Sequence, residues 1–169
     1  NSVQAKINAQ DGNSLPVSAF VDYADGSTPT GSAAYEKRGV AVDVPVWNPE
    51  SCLQCNLCSY VCPHAVIRPV VMDADAAAKA PAGAAMADMK GMEGKKFAMS
   101  ISVLDCTGCG SCVNVCPEVK GNKALSMANL ETQLEAQKMF DYGTTLETPA
   151  EVLEKFKVTT PKGSQFKQP

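Results

Sequence analysis

The stretch of sequence that decides the fold is CLQCNLCSYVCP at residues 52–63, and its spacing returns as CTGCGSCVNVCP at residues 106–117. Both stretches have the form Cys-x2-Cys-x2-Cys-x3-Cys-Pro, a spacing used to bind [4Fe-4S] clusters, and together they contain all eight cysteines. Three cysteines separated by two residues let one tight loop reach three irons of a cubane cluster, with backbone N–H groups facing the sulfurs. The sequence therefore predicts two [4Fe-4S] clusters, each of which needs a fourth thiolate from outside its loop.

The fourth cysteine of each stretch lies about one helical turn beyond the third, so it is expected to point away from its own loop. In two-cluster ferredoxins this cysteine ligates the other cluster. The predicted ligands of cluster I are Cys52, Cys55, Cys58 and Cys116, and those of cluster II are Cys106, Cys109, Cys112 and Cys62. Because this exchange ties the two halves together, we expect removal of iron to unfold the module.

Apolar residues alternate before each cysteine stretch and form short runs after it. The alternation over residues 40–46 and 97–103 predicts one strand before each stretch. The runs at 65–71 and 124–127 predict one strand after each. Pro45 favours an edge position for the first strand, since proline cannot donate to a sheet ladder. The order strand, cysteine loop, strand thus occurs twice. It predicts an α+β fold, a ferredoxin-like two-[4Fe-4S] module of βαββαβ type with a pseudo-twofold relation.

The rest of the chain is expected to surround this module. Residues 1–49, rich in Gly, Pro, Ser and Thr, are predicted to form a wrapping segment with one strand near residues 17–21. Residues 50–128 are predicted to be the two-cluster domain, with an inserted loop at about 73–96. Residues 129–169 are predicted to be a C-terminal helical extension.

Helices are predicted in the insertion and in the extension. Three methionines of the insertion recur at a spacing of three and predict a helical stripe that packs on the core: Met86, Met89 and Met92. In the extension, one helix is expected from about residue 130 to 140. A second is expected to be capped by Thr148, with the following proline in the first helical position. We expect these helices to dock on the flank of the module or on a neighbour.

Composition excludes some classes of function. The formal net charge of -3 argues against a surface that neutralises many nucleic-acid phosphates. The chain contains no apolar run long enough to span a bilayer and no export signal, which favours a cytoplasmic protein without a membrane partner. A reducing cytosol also argues against disulfides as the use of the cysteines. The chain begins with Asn1 rather than methionine, and we expect it to be a segment of a longer protein.

Other uses of the same cysteines are less consistent with their spacing. A structural zinc site draws four ligands from two Cys-x2-Cys pairs and does not need a third cysteine at the same step. A disulfide scaffold requires an oxidising compartment. A cluster that generates radicals would leave one iron open, whereas here each cluster has four candidate ligands. A zinc-held interaction module therefore remains a remote alternative to electron transfer.

Several segments resemble one family, the pyruvate:ferredoxin oxidoreductases. Residues 45–49, PVWNP, the first cysteine stretch, residues 61–69, VCPHAVIRP, and residues 104–110, LDCTGCG, are similar to the ferredoxin-type domain of that family. Residues 25–38, which end in Glu-Lys-Arg, resemble the segment that precedes this domain. The resemblance covers most of the chain.

This resemblance implies more than the cysteine spacing does. The family is implied to be a cytoplasmic homodimer that uses thiamine diphosphate and coenzyme A to convert pyruvate into acetyl-CoA. Its electrons pass through a third cluster and then the two clusters of this domain to external ferredoxin or flavodoxin. The thiamine-diphosphate site and the third cluster would lie elsewhere in the parent enzyme, so no catalytic residue is assigned here. The alternatives are an iron-sulfur subunit of another redox complex and a free-standing ferredoxin.

Overall fold

The first compact unit of the protein is helical. The computed structural model describes residues 2–27 and 36–167, and the chain divides into two compact units, Asn1–Arg38 and Gly39–Pro169. In the first unit, helix α1 is followed by two 3-10 helices, with bounds Ser2–Asn8, Gly12–Ser14 and Val17–Tyr23. The strand predicted near residues 17–21 is therefore wrong. Local hydrogen bonds, such as that from Ala19 N to Pro16 O (2.9 Å), satisfy this backbone without a partner strand.

Part of the segment that resembles the family's Glu-Lys-Arg region lies outside the described residues. Positions 28–35 belong to that part, whereas Glu36, Lys37 and Arg38 are described. Glu36 and Arg38 form an exposed ion pair. Such pairs contribute little to stability, because water and salt screen them.

The second unit contains three small antiparallel sheets. Strand β1 pairs with β7, β2 with β4, β4 with β3, and β5 with β6. The bounds are β1 Asp43–Trp47, β2 Ile67–Met72, β3 Ala87–Asp88, β4 Lys96–Ile101, β5 Glu118–Val119, β6 Asn122–Lys123 and β7 Leu125–Asn129. The strands predicted on either side of each cysteine stretch are therefore present. The predicted mixture of α and β structure is confirmed.

The core lies along the pair β2 and β4, whose residues are nearly all buried. Phe97 is fully buried, and Ile67 of β2 faces Ile101 of β4 across the ladder. The predicted first strand is shorter than its apolar alternation suggests, since β1 begins at Asp43 and Val42 is exposed. The edge position expected from Pro45 is confirmed, because β1 pairs with β7 alone in a two-stranded sheet.

Short helices occupy the cysteine stretches, the insertion and the C-terminal region. Their bounds are α2 Leu57–Tyr60, α3 Ala74–Ala78, α4 Ser111–Val115, α5 Ala136–Gly143, α6 Ala150–Lys155 and α7 Pro161–Gln165, with a 3-10 helix at Leu130–Gln133. The predicted cap of α6 is wrong, because Pro149 stands at the cap position with no side-chain hydrogen bond. Helix α7 was not predicted. Thr160 caps it by accepting a hydrogen bond from Gly163 N (3.1 Å).

The methionine stripe of the insertion is not helical. Met89 is buried, and Met86 and Met92 are partly buried against the core, so the predicted packing is confirmed and the predicted helix is wrong. Gly91 and Gly94 adopt positive φ angles of 88° and 73° around these residues. A helix cannot continue through such backbone conformations.

Within the second unit, the C-terminal helices pack against the insertion and the first cysteine stretch. Tyr142 Oη of α5 donates to Ala76 O of α3 (2.7 Å), and Lys95 of the insertion pairs with Glu151 of α6 (2.6 Å). Ser59 Oγ of α2 donates to Gln165 Oε1 of α7 (2.6 Å). Among the described residues, no helix is both long and apolar enough to cross a bilayer.

Candidate metal centre

The two cysteine loops have left-handed residues at equivalent positions. The second and fourth residues after the first cysteine of each loop have positive φ angles. These angles are 56° at Gln54 and 60° at Asn56 in the first loop, and 70° at Gly108 and 73° at Gly110 in the second. The fourth residue is also the N-cap of the helix that follows, α2 or α4. These left-handed residues let each loop curl back on itself before its short helix begins.

Three cysteines of the first stretch share a cavity with the last cysteine of the second. This cavity has a volume of about 20 Å³. Its walls contain four cysteines and the proline that follows the last of them: Cys52, Cys55, Cys58, Cys116 and Pro117. Cys52 and Cys58 are buried, and Cys55 and Cys116 are partly buried.

The second cavity has the reciprocal composition. Its volume of about 20 Å³ is close to that of the first. The cysteines and proline in its walls are Cys106, Cys109, Cys112, Cys62 and Pro63. Cys106 is buried, Cys62 and Cys112 are partly buried, and Cys109 is exposed. The structure thus brings all eight predicted site residues into two groups of four.

One two-stranded sheet contributes to both cavities. Trp47 of β1 and Leu125 of β7 face each other across the ladder, and both line the first cavity. Pro45 and Met127 form another facing pair of the same ladder, and both line the second cavity. Because strand residues two apart lie on one face, Pro45 and Trp47 line the two cavities from the same side of β1.

Backbone N–H groups approach the first sulfur of each loop. Gln54 N donates to Cys52 Sγ (3.3 Å), and Gly108 N donates to Cys106 Sγ at the equivalent position (3.4 Å). Hydrogen bonds of this kind stabilise thiolates and modulate the electronic properties of the metal centre that they bind. The left-handed residues 54 and 108 therefore turn the chain and also donate their backbone N–H groups to the sulfurs.

Burial disfavours ionisation of three of the thiols. It raises the pKa of Cys58 and Cys106, and it raises the pKa of Cys112 to about 11. By contrast, the pKa of Cys109 is lowered, chiefly by a hydrogen bond with Ser111, whose Oγ lies 3.5 Å from Cys109 Sγ. A bound metal ion would reverse this preference, because a coordinated thiol loses its proton outright.

Two polar residues of the first loop have a role that the sequence analysis missed. Gln54 and Asn56 are almost fully buried. The amide of Gln54 donates to Asp88 O (2.8 Å) and accepts from Lys90 N (2.7 Å), and Asn56 Nδ2 donates to Lys162 O (3.0 Å). A comparison of the two stretches could have indicated this role, because glycine occupies both equivalent positions in the second stretch. A larger polar residue there must be held by partners elsewhere in the chain.

Gly108 has a steric role beyond its positive φ angle. A Cβ at this position would lie 3.0 Å from Asp43 O and 3.3 Å from Ala41 Cβ, whereas a Cβ at Gly110 would enter open space. We expect Gly108→Ala to lower the free energy of unfolding by about 2–5 kcal/mol, from backbone strain plus crowding. Gly110→Ala is the matched control and should cost only about 1–2 kcal/mol of strain. Anaerobic guanidinium unfolding measures both, and equal losses would contradict the crowding argument.

The cavities suit polynuclear clusters better than single ions. Four thiolates around one zinc ion must converge to about 2.3 Å from a common centre. In the part of the chain that the structure describes, no three His, Cys, Asp or Glu side chains are placed to hold one ion. The indole Nε1 of Trp47, which lines the first cavity, is buried without a hydrogen-bond partner among the described atoms. Four separate thiols around a cavity with this N–H in its wall fit a [4Fe-4S] cluster.

Comparison with known proteins agrees with this chemistry. Residues 51–119 match a family described as a 4Fe-4S double cluster binding domain. Residues 1–41 match a second family, EKR, described as a domain of unknown function. The protein is thus an iron-sulfur protein whose second unit contains a domain for two [4Fe-4S] clusters.

Similar proteins include several pyruvate oxidoreductases. The chain is 48% identical over 163 residues to pyruvate-flavodoxin oxidoreductase of Enterobacter agglomerans. It is also 48% identical over 165 residues to pyruvate:ferredoxin oxidoreductase of Moorella thermoacetica. Each alignment covers 96% of this chain and 14% of the relative. Pyruvate dehydrogenase [NADP(+)] of Cryptosporidium parvum is 42% identical, with 8% of its length covered. Over most of its length, the chain is therefore similar to a segment of these much longer pyruvate oxidoreductases.

Proposed function

We propose that this chain is the internal electron relay of a pyruvate (2-oxoacid):ferredoxin oxidoreductase. Electrons released at a thiamine-diphosphate site elsewhere in the parent enzyme would leave through this segment to external ferredoxin or flavodoxin. The observation that carries the proposal is the pair of cavities, each walled by four cysteines. Relatives named as pyruvate-flavodoxin and pyruvate:ferredoxin oxidoreductases support the choice of parent.

The ligand sets are proposed to cross between the two stretches. Cluster I is assigned to Cys52, Cys55, Cys58 and Cys116, and cluster II to Cys106, Cys109, Cys112 and Cys62. The composition of the two cavity walls supports this assignment. The observed short helices α2 and α4 also support it, because each carries the chain from the third cysteine of its stretch toward the fourth.

The domain organisation is proposed from the same repeat. We propose a ferredoxin-like βαββαβ arrangement with a pseudo-twofold relation between its halves. The equivalent left-handed residues of the two loops and the similar cavity sizes support that relation. The proposed segments are 1–49, 50–128 with its insertion at about 73–96, and the extension 129–169. A homodimeric, cytoplasmic parent whose other domains contact this segment is part of the same proposal.

The residues of this chain are proposed to hold the iron, donate hydrogen bonds to the sulfurs and exclude water. Each [4Fe-4S] cluster, when bound, supplies a centre that accepts and releases one electron. The thiolates hold the iron, and Gln54 N and Gly108 N donate to the first sulfur of each set. Burial of Cys52, Cys58 and Cys106 keeps water from much of each site. No residue of this chain is proposed to act on an organic substrate.

Anaerobic reconstitution tests the proposed function. The chain should take up equal amounts of iron and inorganic sulfide, turn brown, absorb near 400 nm as an expectation from cluster chemistry, and bleach with dithionite. The reduced chain should then pass electrons to flavodoxin or ferredoxin in a stopped-flow experiment. A colourless chain that binds zinc but no sulfide would overturn the proposal in favour of a zinc-held module.

A second test separates the relay from a free-standing ferredoxin. In the parent enzyme, addition of pyruvate and coenzyme A should reduce both clusters of this segment, and EPR would detect this reduction. The high identity over 96% of a chain that covers 14% of its relatives favours the relay. Reduction of a third cluster alone, with both clusters of this segment left oxidised, would contradict it.

A further inference from the structure

The surroundings of the two cysteine loops are not equivalent. The insertion and helix α7 pack on the first loop through the buried amides of Gln54 and Asn56. The second loop has Gly108 and Gly110 at those positions, and its Cys109 is exposed. The insertion and α7 therefore lie beside the proposed site of cluster I. The repeated spacing of the cysteines does not predict these neighbours.

The first cation among these neighbours is Lys90 of the insertion. Its Nζ donates to Cys52 O (2.7 Å), the carbonyl of a proposed cluster I ligand. Its backbone N donates to Gln54 Oε1 (2.7 Å). The residue is thus fixed at both ends, and its charge lies against the loop that carries three thiolates.

The second cation is Lys162 of α7. Its carbonyl accepts from Asn56 Nδ2 (3.0 Å), and its Nζ lies 4.4 Å from the centre of the Phe156 ring. Burial lowers the pKa of Lys162, and the nearby sulfurs of Cys55 and Cys52 oppose that shift. A bound cluster with four thiolates would favour the charged ammonium further, because opposite charges attract in a partly buried site.

These two charges have a consequence for electron affinity. Reduction adds one electron to a centre that is already negative, and it breaks no bond and transfers no proton. A fixed positive charge nearby stabilises the more negative, reduced state, whereas burial disfavours it. The covering segments therefore act in two opposing ways on cluster I, by excluding water and by supplying two ammonium groups.

We propose that Lys90 and Lys162 raise the reduction potential of cluster I, and that they do so selectively over cluster II. The inference rests on the proposed function, because it requires the clusters to be bound. It assigns the insertion and α7 a role in setting the relative electron affinity of the two centres. Both lysines act through charge and position and are not ligands.

The test uses the full 169-residue chain loaded with its clusters, in a redox titration followed by EPR. The signals are assigned with Cys55→Ala and Cys109→Ala, which each damage one cluster. Lys162→Met keeps an apolar side chain beside Phe156 and removes the charge. We expect it to lower the equilibrium constant for one-electron reduction of cluster I by about tenfold, a shift of about 59 mV. Lys162→Arg keeps the charge and should restore the potential of cluster I. Lys90→Met should lower this potential, as Lys162→Met does.

Controls separate charge from structure. Lys138→Met removes an exposed charge that pairs with Glu135 on the surface, and it should leave both potentials unchanged. An unchanged cluster I potential in Lys162→Met with full iron content would overturn the inference, as would an equal shift of both clusters. If Lys90→Met loses iron, the comparison of Lys162→Met with Lys162→Arg still decides. Absence of iron and sulfide from the unsubstituted chain would instead overturn the proposed function.

Discussion

Removal of iron and sulfide is expected to unfold the cluster-binding part of residues 39–167. The three buried cysteines Cys52, Cys58 and Cys106 belong to the hydrophobic core, so bound clusters would lie between the elements that carry these cysteines. Structural zinc in zinc-finger peptides contributes about 10–16 kcal/mol to folding, which sets the scale for a metal centre, whereas the net stability of a whole domain is about 5–15 kcal/mol. The free energy lost with both clusters should therefore exceed the net stability of the domain. Two of the three sheets have only two strands, and such sheets are marginal without further support.

Circular dichroism before and after chelation under anaerobic conditions measures this loss. The apo chain should lose most of its strand signal and its cooperative urea transition, and reconstitution with iron and sulfide should restore both. Helix α1 and the 3-10 helices at Gly12–Ser14 and Val17–Tyr23 form a separate compact unit, so their local signal serves as the internal control. An apo chain with the same urea midpoint as the loaded chain would contradict the prediction.

Replacement of the last cysteine in either stretch is expected to damage the cluster of the other stretch. Cys116→Ala should reproduce the spectrum of Cys55→Ala, and Cys62→Ala should reproduce that of Cys109→Ala. The physical reason is that Cys116 lies in the cavity of the first loop and Cys62 in the cavity of the second. Each single variant should retain about half of the iron when only one cluster is lost.

Iron and sulfide content, with EPR of the dithionite-reduced proteins, distinguishes the two pairs. Because the surviving cluster still ties part of the fold together, all four variants should remain folded near neutral pH. The Cys116→Ala and Cys62→Ala pair provides its own control, since each stretch loses the same residue type at the same position. Ligation within a single stretch would instead make Cys116→Ala resemble Cys109→Ala, and that result would reject the crossed assignment.

Local sequence predicted the strands well where a second strand was available to pair with them. The strands around 67–72 and 96–101 are present because both runs are apolar and face each other in one sheet. The same alternation near Val17 produced a 3-10 helix, since local hydrogen bonds satisfied that backbone. The methionine spacing predicted burial correctly and helix wrongly, because Gly91 and Gly94 interrupt the path of the chain.

The sequence by itself determined the donor set of the site. Thiolate number, spacing and the following proline are local properties, so CLQCNLCSYVCP and CTGCGSCVNVCP were enough to predict two clusters. The tertiary structure alone decided what surrounds them. The bonds that join Gln54 to Lys90 and Asn56 to Lys162 connect residues 36 and 106 positions apart. No local pattern encodes such contacts, because they form only when the insertion and helix α7 fold back onto the first loop.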